Sequence, residues 1–231
     1  MLNKSVLITG STNGLGRELA LSFADQNYTV LIHGRNPDKL NELFCEIKSR
    51  GVECFPYVCD LLKRESLAGL VEIAVANNVG VLVNNAGVYL NKPLSETTSS
   101  ELDEIMQVNF YVPFFLTRGL LSHFGRNGSG LIVNINSLAG KQGSQNETAY
   151  SASKHALRGF SDSLRYEVIR KGVRIIDLYF GAMATQMTKG RKDPSECIQP
   201  KEAAKVITSL CENYETLSIN EVNIGRRIYT S

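Results

Sequence analysis

Tyr150 and Lys154 stand four residues apart in Tyr150-Ser151-Ala152-Ser153-Lys154, a spacing that puts both heads on one face of a helix. A free phenol has a pKa of about 10 and is a poor base near neutrality, but a neighbouring ammonium favours the phenolate. Such a pair can give a proton to a carbonyl oxygen or take one from a hydroxyl. Ser137 closes the apolar run Val133-Asn134-Ile135-Asn136-Ser137, thirteen residues before the tyrosine. A hydroxyl at a strand end can hold a substrate oxygen beside the phenol, by orientation as much as by charge.

A second constellation lies at the N-terminus. The strand-like run Val6-Leu7-Ile8 leads through Thr9-Gly10-Ser11-Thr12-Asn13-Gly14-Leu15-Gly16 into an amphipathic segment bearing Leu19, Ala20 and Phe23. Glycine allows positive φ and close backbone approach, and a helix N-terminus offers unpaired N–H groups and a positive dipole end to a pyrophosphate. Residues 10–16 are therefore candidates to hold a dinucleotide. The spacing is G-x-x-x-G-x-G rather than the general G-x-G-x-x-G, and a tight strand-to-helix turn is the bland alternative. The second strand ends Ile32-His33-Gly34-Arg35-Asn36. Gly34 stands where an NAD site places a carboxylate for the ribose 2′-hydroxyl, and Arg35 suits a 2′-phosphate. Gly34 and Arg35 thus point to NADP(H) over NAD(H), with Asn36 beside them as a further cofactor-binding candidate; a solvated arginine is the competing reading.

The elements that must position these groups follow from periodicity. Apolar runs at 6–9, 29–32, 52–58, 81–83, 131–135, 174–179 and 221–224 alternate with helical stripes such as Leu40, Leu43, Phe44, Ile47 and Leu67, Leu70, Val71, Ala74. Strands apolar on both faces and separated by helices predict an α/β fold: a single doubly wound, Rossmann-type parallel sheet of about seven strands, helices on both faces. Ligands bind such sheets beyond the carboxyl ends of the strands. No linker divides the 231 residues, so one domain is expected.

Composition narrows the classes. Apolar residues are 43% and charged residues 21%, with a net charge of +2 and no basic stripe, which argues against nucleic acid as a partner. No apolar run approaches the roughly 20 residues of a membrane span. Five cysteines without a CxxC pair read as reduced, buried thiols of a cytoplasmic protein, and no metal-ligand set is expected.

The glycine loop, Asn84-Asn85-Ala86-Gly87, Ser137 and the Tyr150/Lys154 pair together resemble the compact, single-domain branch of the short-chain dehydrogenase/reductase family, from Thr9 to about Thr185. The resemblance implies hydride transfer between NADP(H) and a carbonyl or hydroxyl carbon of a small molecule. It makes Ser137 and Tyr150 substrate-binding and catalytic, and gives Lys154 a second task on the nicotinamide ribose. It places Asp60 and Leu61 beside the adenine, with Asp60 as a helix N-cap equally compatible. It sets Asn85, Ala86 and Gly87 along the ribose and nicotinamide, with Asn84 tying strands together. Asn109, on the stripe Leu102, Ile105, Met106, Asn109, takes the place of the family's fourth catalytic member, which holds a proton-relaying water. Met183 and Thr185 would contact the cofactor, although Phe180-Gly181 replaces the usual Pro-Gly and Asn136 replaces a common serine.

Segment 186–200 corresponds to the family's substrate loop. Lys189, Arg191 and Lys192 either bring positive charge toward a polar or anionic substrate or are a solvated run. Long helices at 99–124 and 148–171 carry Phe110, Phe114, Phe115, Phe160 and Leu164, read as outward faces of a homodimer or homotetramer. Two other functions fit less of the pattern. A dinucleotide-binding sensor or scaffold would need the glycine loop but not the acid/base set. A sugar-nucleotide epimerase of the extended branch would need a longer chain.

Overall fold

The computed structural model describes residues 2–188, 190, 193–212 and 217–226. Strands β1 (Ser5–Ile8), β2 (Thr29–Gly34), β3 (Cys54–Val58), β4 (Val81–Asn84), β5 (Gly130–Ser137), β6 (Val173–Phe180) and β7 (Glu221–Ile224) form one sheet. Its order is β3-β2-β1-β4-β5-β6-β7 and every neighbour pair is parallel. Parallel neighbours need crossovers, supplied by α1 (Gly14–Asp25), α2 (Pro37–Lys48), α3 (Ser66–Ala76), α4 (Ser99–Met106), α5 (Val112–Asn127), α6 (Thr148–Val168) and α7 (Pro200–Leu210).

Alternation along each strand divides the core. Val6, Ile8, Val30, Ile32, Val81 and Val83 face α1, α2 and α7, whereas Leu7, Leu31, Leu82 and Ile132 face α3, α5 and α6. Pro56 lies in β3, a sheet edge where its missing N–H costs no central ladder bond. The winding of the sheet reverses between β1 and β4, which opens a crevice above their carboxyl ends.

A buried polar chain crosses the sheet interior. Asn84 Nδ2 donates to Asn134 Oδ1 at 2.8 Å, and Asn134 Nδ2 donates to Ser161 Oγ at 2.9 Å and Asp177 Oδ1 at 3.0 Å. Asp177 also accepts from Ser161 and pairs with Arg165, so α6 is fastened to β6.

Several expectations are corrected. The predicted helix over 99–124 is interrupted by a π turn, Gln107–Tyr111, whose extra residue turns Gln107, Val108 and Asn109 all inward. Leu102, assigned to the buried stripe, is exposed, because the stripe begins at Ile105. Leu164 packs in the chain's own core. Phe110, Phe114 and Phe160 are half-buried and touch one another, with ring centroids 5.5 to 6.3 Å apart. Cys54, Cys197 and Cys211 are buried thiols, but Cys45 is exposed and Cys59 half-buried.

Candidate active site

The crevice is a cavity of about 1150 Å³ that runs from Arg35 and Asp60, past the glycine loop, to Ser137, Tyr150 and Lys154. Gly10 (φ +66°) and Gly14 (φ +52°) bend the loop through conformations that side chains disfavour. A Cβ on Gly16 would lie 2.2 Å from Gly10 O, so α1 can approach the loop only with glycine there. Asn13 makes no side-chain cap, and α1 therefore presents open N–H groups beside the cavity. Thr9 Oγ1 accepts from Asn85 N and Ala86 N, both at 3.0 Å, while Asn85 Nδ2 donates to Thr9 O at 2.8 Å and Gly10 O at 3.1 Å. These bonds fasten the segment after β4 to the loop. Backbone N–H groups at a helix start suit an anionic group.

Not every candidate reaches this cavity. Thr12, Asn13, Leu15, Asn85, Ala86 and Gly87 line it, but Ser11 is fully buried, donates to Ile8 O and His33 O, and accepts from His33 N. Asn36 lies away from the wall and caps α2 through Lys39 N at 2.9 Å. Asp60 and Leu61 line the cavity, yet the N-cap reading of Asp60 is corrected: its Oδ1 accepts from Leu62 N, and α3 starts only at Ser66. A Cβ on Gly34 would meet Thr12 Cγ2 at 2.4 Å, so the loop packs against the end of β2. Arg35 is exposed at the rim and forms no ion pair among the described residues.

His33 escaped the sequence reading. Its Nδ1 accepts from Gly10 N at 3.1 Å and its Nε2 faces Cys59 O at 3.2 Å, which assigns the Nε2–H tautomer. Burial lowers its pKa, so a neutral imidazole clamps the loop to the ends of β2 and β3.

At the other end, β5 delivers Ser137 and α6 delivers Tyr150 and Lys154. Lys154 is almost wholly buried, donates to Ile135 O at 3.0 Å and sits 5.9 Å from the centroid of the Tyr150 ring. Burial pulls its ammonium down to about 8. Ser137 Oγ accepts from Ala139 N at 3.1 Å, which leaves its proton to donate. Asn136 accepts from Ser137 N and donates to Lys154 O at 3.3 Å, so the substituted residue links strand end to helix. Asn109 stands one layer behind the wall. Its Oδ1 accepts from Val88 N at 2.9 Å, and its Nδ2 donates to Val88 O at 2.9 Å and Ser153 Oγ at 3.0 Å. A Cβ on Gly87 would lie 3.4 Å from Asn109 Oδ1 and 4.0 Å from Lys154 Nζ.

Phe180, Met183 and Thr185 line the wall above the glycine loop. The backbone that a proline would have stiffened is held by Gly181 N to Ile224 O at 3.0 Å and by a parallel bridge between Met183 and Ile198. Within 186–200, Gln186, Met187 and Thr188 face the cavity, whereas Lys189, Arg191 and Lys192 lie outside the described residues.

Residues 4–196 match the family model described as short chain dehydrogenase, and the chain belongs to that oxidoreductase family. It is 34% identical over 177 residues to the ketoacyl reductase HetN of Nostoc sp., a match spanning 76% of this chain and 62% of that protein. More than a third of that relative therefore lies outside the match. Among solved structures, a metagenomic short-chain oxidoreductase in complex with NADP is 28% identical with a TM-score of 0.86, covering 99% of both chains. L-sorbose reductase from Gluconobacter frateurii, complexed with NADPH and L-sorbose, is 25% identical with a TM-score of 0.89, covering 97% and 96%.

Proposed function

We propose that this chain is an NADPH-dependent reductase of a small-molecule carbonyl compound, one unit that binds cofactor and substrate. The observation that carries the reading is the joint placement of Ser137, Tyr150 and buried Lys154 in one cavity with the glycine loop and Arg35. The NADP- and NADPH-bound neighbours support the choice of cofactor. Gly10 to Gly16 and the N-terminus of α1 hold the pyrophosphate, Arg35 faces the 2′-phosphate, and Asp60 and Leu61 flank the adenine. Asn85, Ala86, Gly87, Met183 and Thr185 line the path to the nicotinamide, whose bound form supplies the hydride.

Tyr150 donates the proton that the carbonyl oxygen takes up, and Ser137 donates a hydrogen bond to the same oxygen. The Lys154 ammonium favours the phenolate left behind. Asn109 acts as a positioning residue that fixes Val88 and Ser153 around this group. The half-buried Phe110, Phe114, Phe115 and Phe160 support self-association through α5 and α6.

Titration with NADPH and NADH, followed by cofactor fluorescence, tests the reading. A strong preference for NADPH that Arg35→Ala removes, with a Tyr150→Phe protein that binds but does not turn over, is the expected result. No binding of either cofactor would overturn it.

A further inference from the structure

Three residues before Tyr150, at the mouth of α6, stands Glu147. Tyr89, five residues beyond the end of β4, bridges the two. Its hydroxyl donates to Glu147 Oε1 in a short hydrogen bond, and its ring meets that of Tyr150 edge to face, centroids 4.8 Å apart at 71°. All three line the cavity at the reacting end. Leu90, Ile105, Val108 and Leu138 line the same cavity together with the carboxylates of Glu101 and Glu104. Among the described residues the cations of the cavity wall are Arg35, at the adenine end, and Lys154.

We infer that Tyr89 and Glu147 form a specificity clamp which selects a ketone bearing a hydroxyl or amine beside the reacting carbon and rejects a carboxylate there. The inference rests on the proposed reductase function. A carboxylate only accepts hydrogen bonds and offers about four acceptor positions. Half-buried in the cavity wall beside the proton donor, it attracts an O–H or N–H and repels an anion more strongly than it would in water. A site built around such a bond discriminates sharply against an analogue that lacks the donor. Tyr89 fixes the direction of the carboxylate and packs the phenol of Tyr150 into the same wall.

The test uses three matched ketones with NADPH: 1-hydroxy-2-butanone, 3-pentanone, in which methyl replaces hydroxyl, and 2-oxobutanoate, in which carboxylate replaces the hydroxymethyl group. We expect kcat/KM for the hydroxyketone to exceed that for 3-pentanone by about tenfold to a hundredfold, with 2-oxobutanoate poorest. Glu147→Gln should shrink the first ratio and raise relative use of the anion, and Tyr89→Phe should move both the same way. In Tyr150→Phe the same order should appear in the affinity of the three ketones for the NADPH complex, read by cofactor fluorescence. Equal use of hydroxyketone and 3-pentanone, or ratios unmoved in both variants, would overturn the clamp. Turnover of none of the three by a protein that binds NADPH would also overturn it while leaving the cofactor site standing; loss of cofactor binding itself is the outcome that removes the reductase reading.

Discussion

Lys154 Nζ donates to the carbonyl oxygen of Ile135 at 3.0 Å, so the buried ammonium of α6 is bonded to the strand that ends at Ser137. With the bond from Asn136 to Lys154 O, it ties together the two elements that carry Tyr150, the proposed proton donor, and Ser137. It also leaves a charged group in a place where charge is costly.

That cost has a direction with pH. The Lys154 ammonium falls from 10.5 to about 8 through burial, a penalty on the charged form of about 3 kcal/mol. The unfolded chain holds the proton more tightly, so stability rises as pH climbs from 8 to 10.5, and the penalty is felt in full below 8. Lys154→Met is expected to raise the thermal midpoint near pH 7 while abolishing turnover. The pH profile of kcat/KM for reduction should decline above about 8. In Lys154→Arg that decline should move to higher pH, and an unmoved limb would assign it to another group.

Gly16 tests the phosphate cradle. Alanine there sets a methyl 2.2 Å from Gly10 O, an overlap that costs on the order of 1 to 3 kcal/mol if the loop shifts to relieve it. NADPH affinity should fall at least about tenfold in Gly16→Ala, with a modest loss in thermal midpoint. Wild-type affinity would mean that the cofactor does not rest on this loop.

Asp177 links stability to pH from the opposite side. Burial raises its carboxyl from 3.8 to about 6, against the favourable donors Arg165, Asn134 and Ser161. The folded state therefore holds this proton more tightly, and the contribution is full below 3.8 and lost as pH rises through 6. Urea unfolding should show the advantage of the wild type over Asp177→Asn shrinking by about 3 kcal/mol between pH 4 and 7. A gap that widens with pH would show that Arg165 outweighs burial.

Self-association has a simple check. Phe114 touches Phe110, Phe115 and Phe160 and carries Arg118 5.8 Å above its ring. Light scattering of the wild type at micromolar concentration should report a dimer or tetramer, and Phe114→Glu should shift it toward the monomer. A monomeric wild type would remove the interface.

Much of this protein is legible along the chain. The seven apolar runs, the glycine loop and the Tyr150/Lys154 spacing are local patterns, because strand period, helix period and glycine's freedom act within a few residues. The strand order places their ends on one crevice, which the alternation of strands and helices already implies. What only the tertiary structure decides are bonds between distant residues. His33 clamps Gly10 across 23 positions, and Tyr89 meets Glu147 across 58. Ser11 and Asn36 turn from the cavity because β2 and α2 use their side chains. The π turn that brings Asn109 against Val88 and Ser153 has no local signature; it persists because the inward amide is fully bonded there. A polar group buried without partners is expensive, so the partners, set by the packing of whole elements, determine where such groups point.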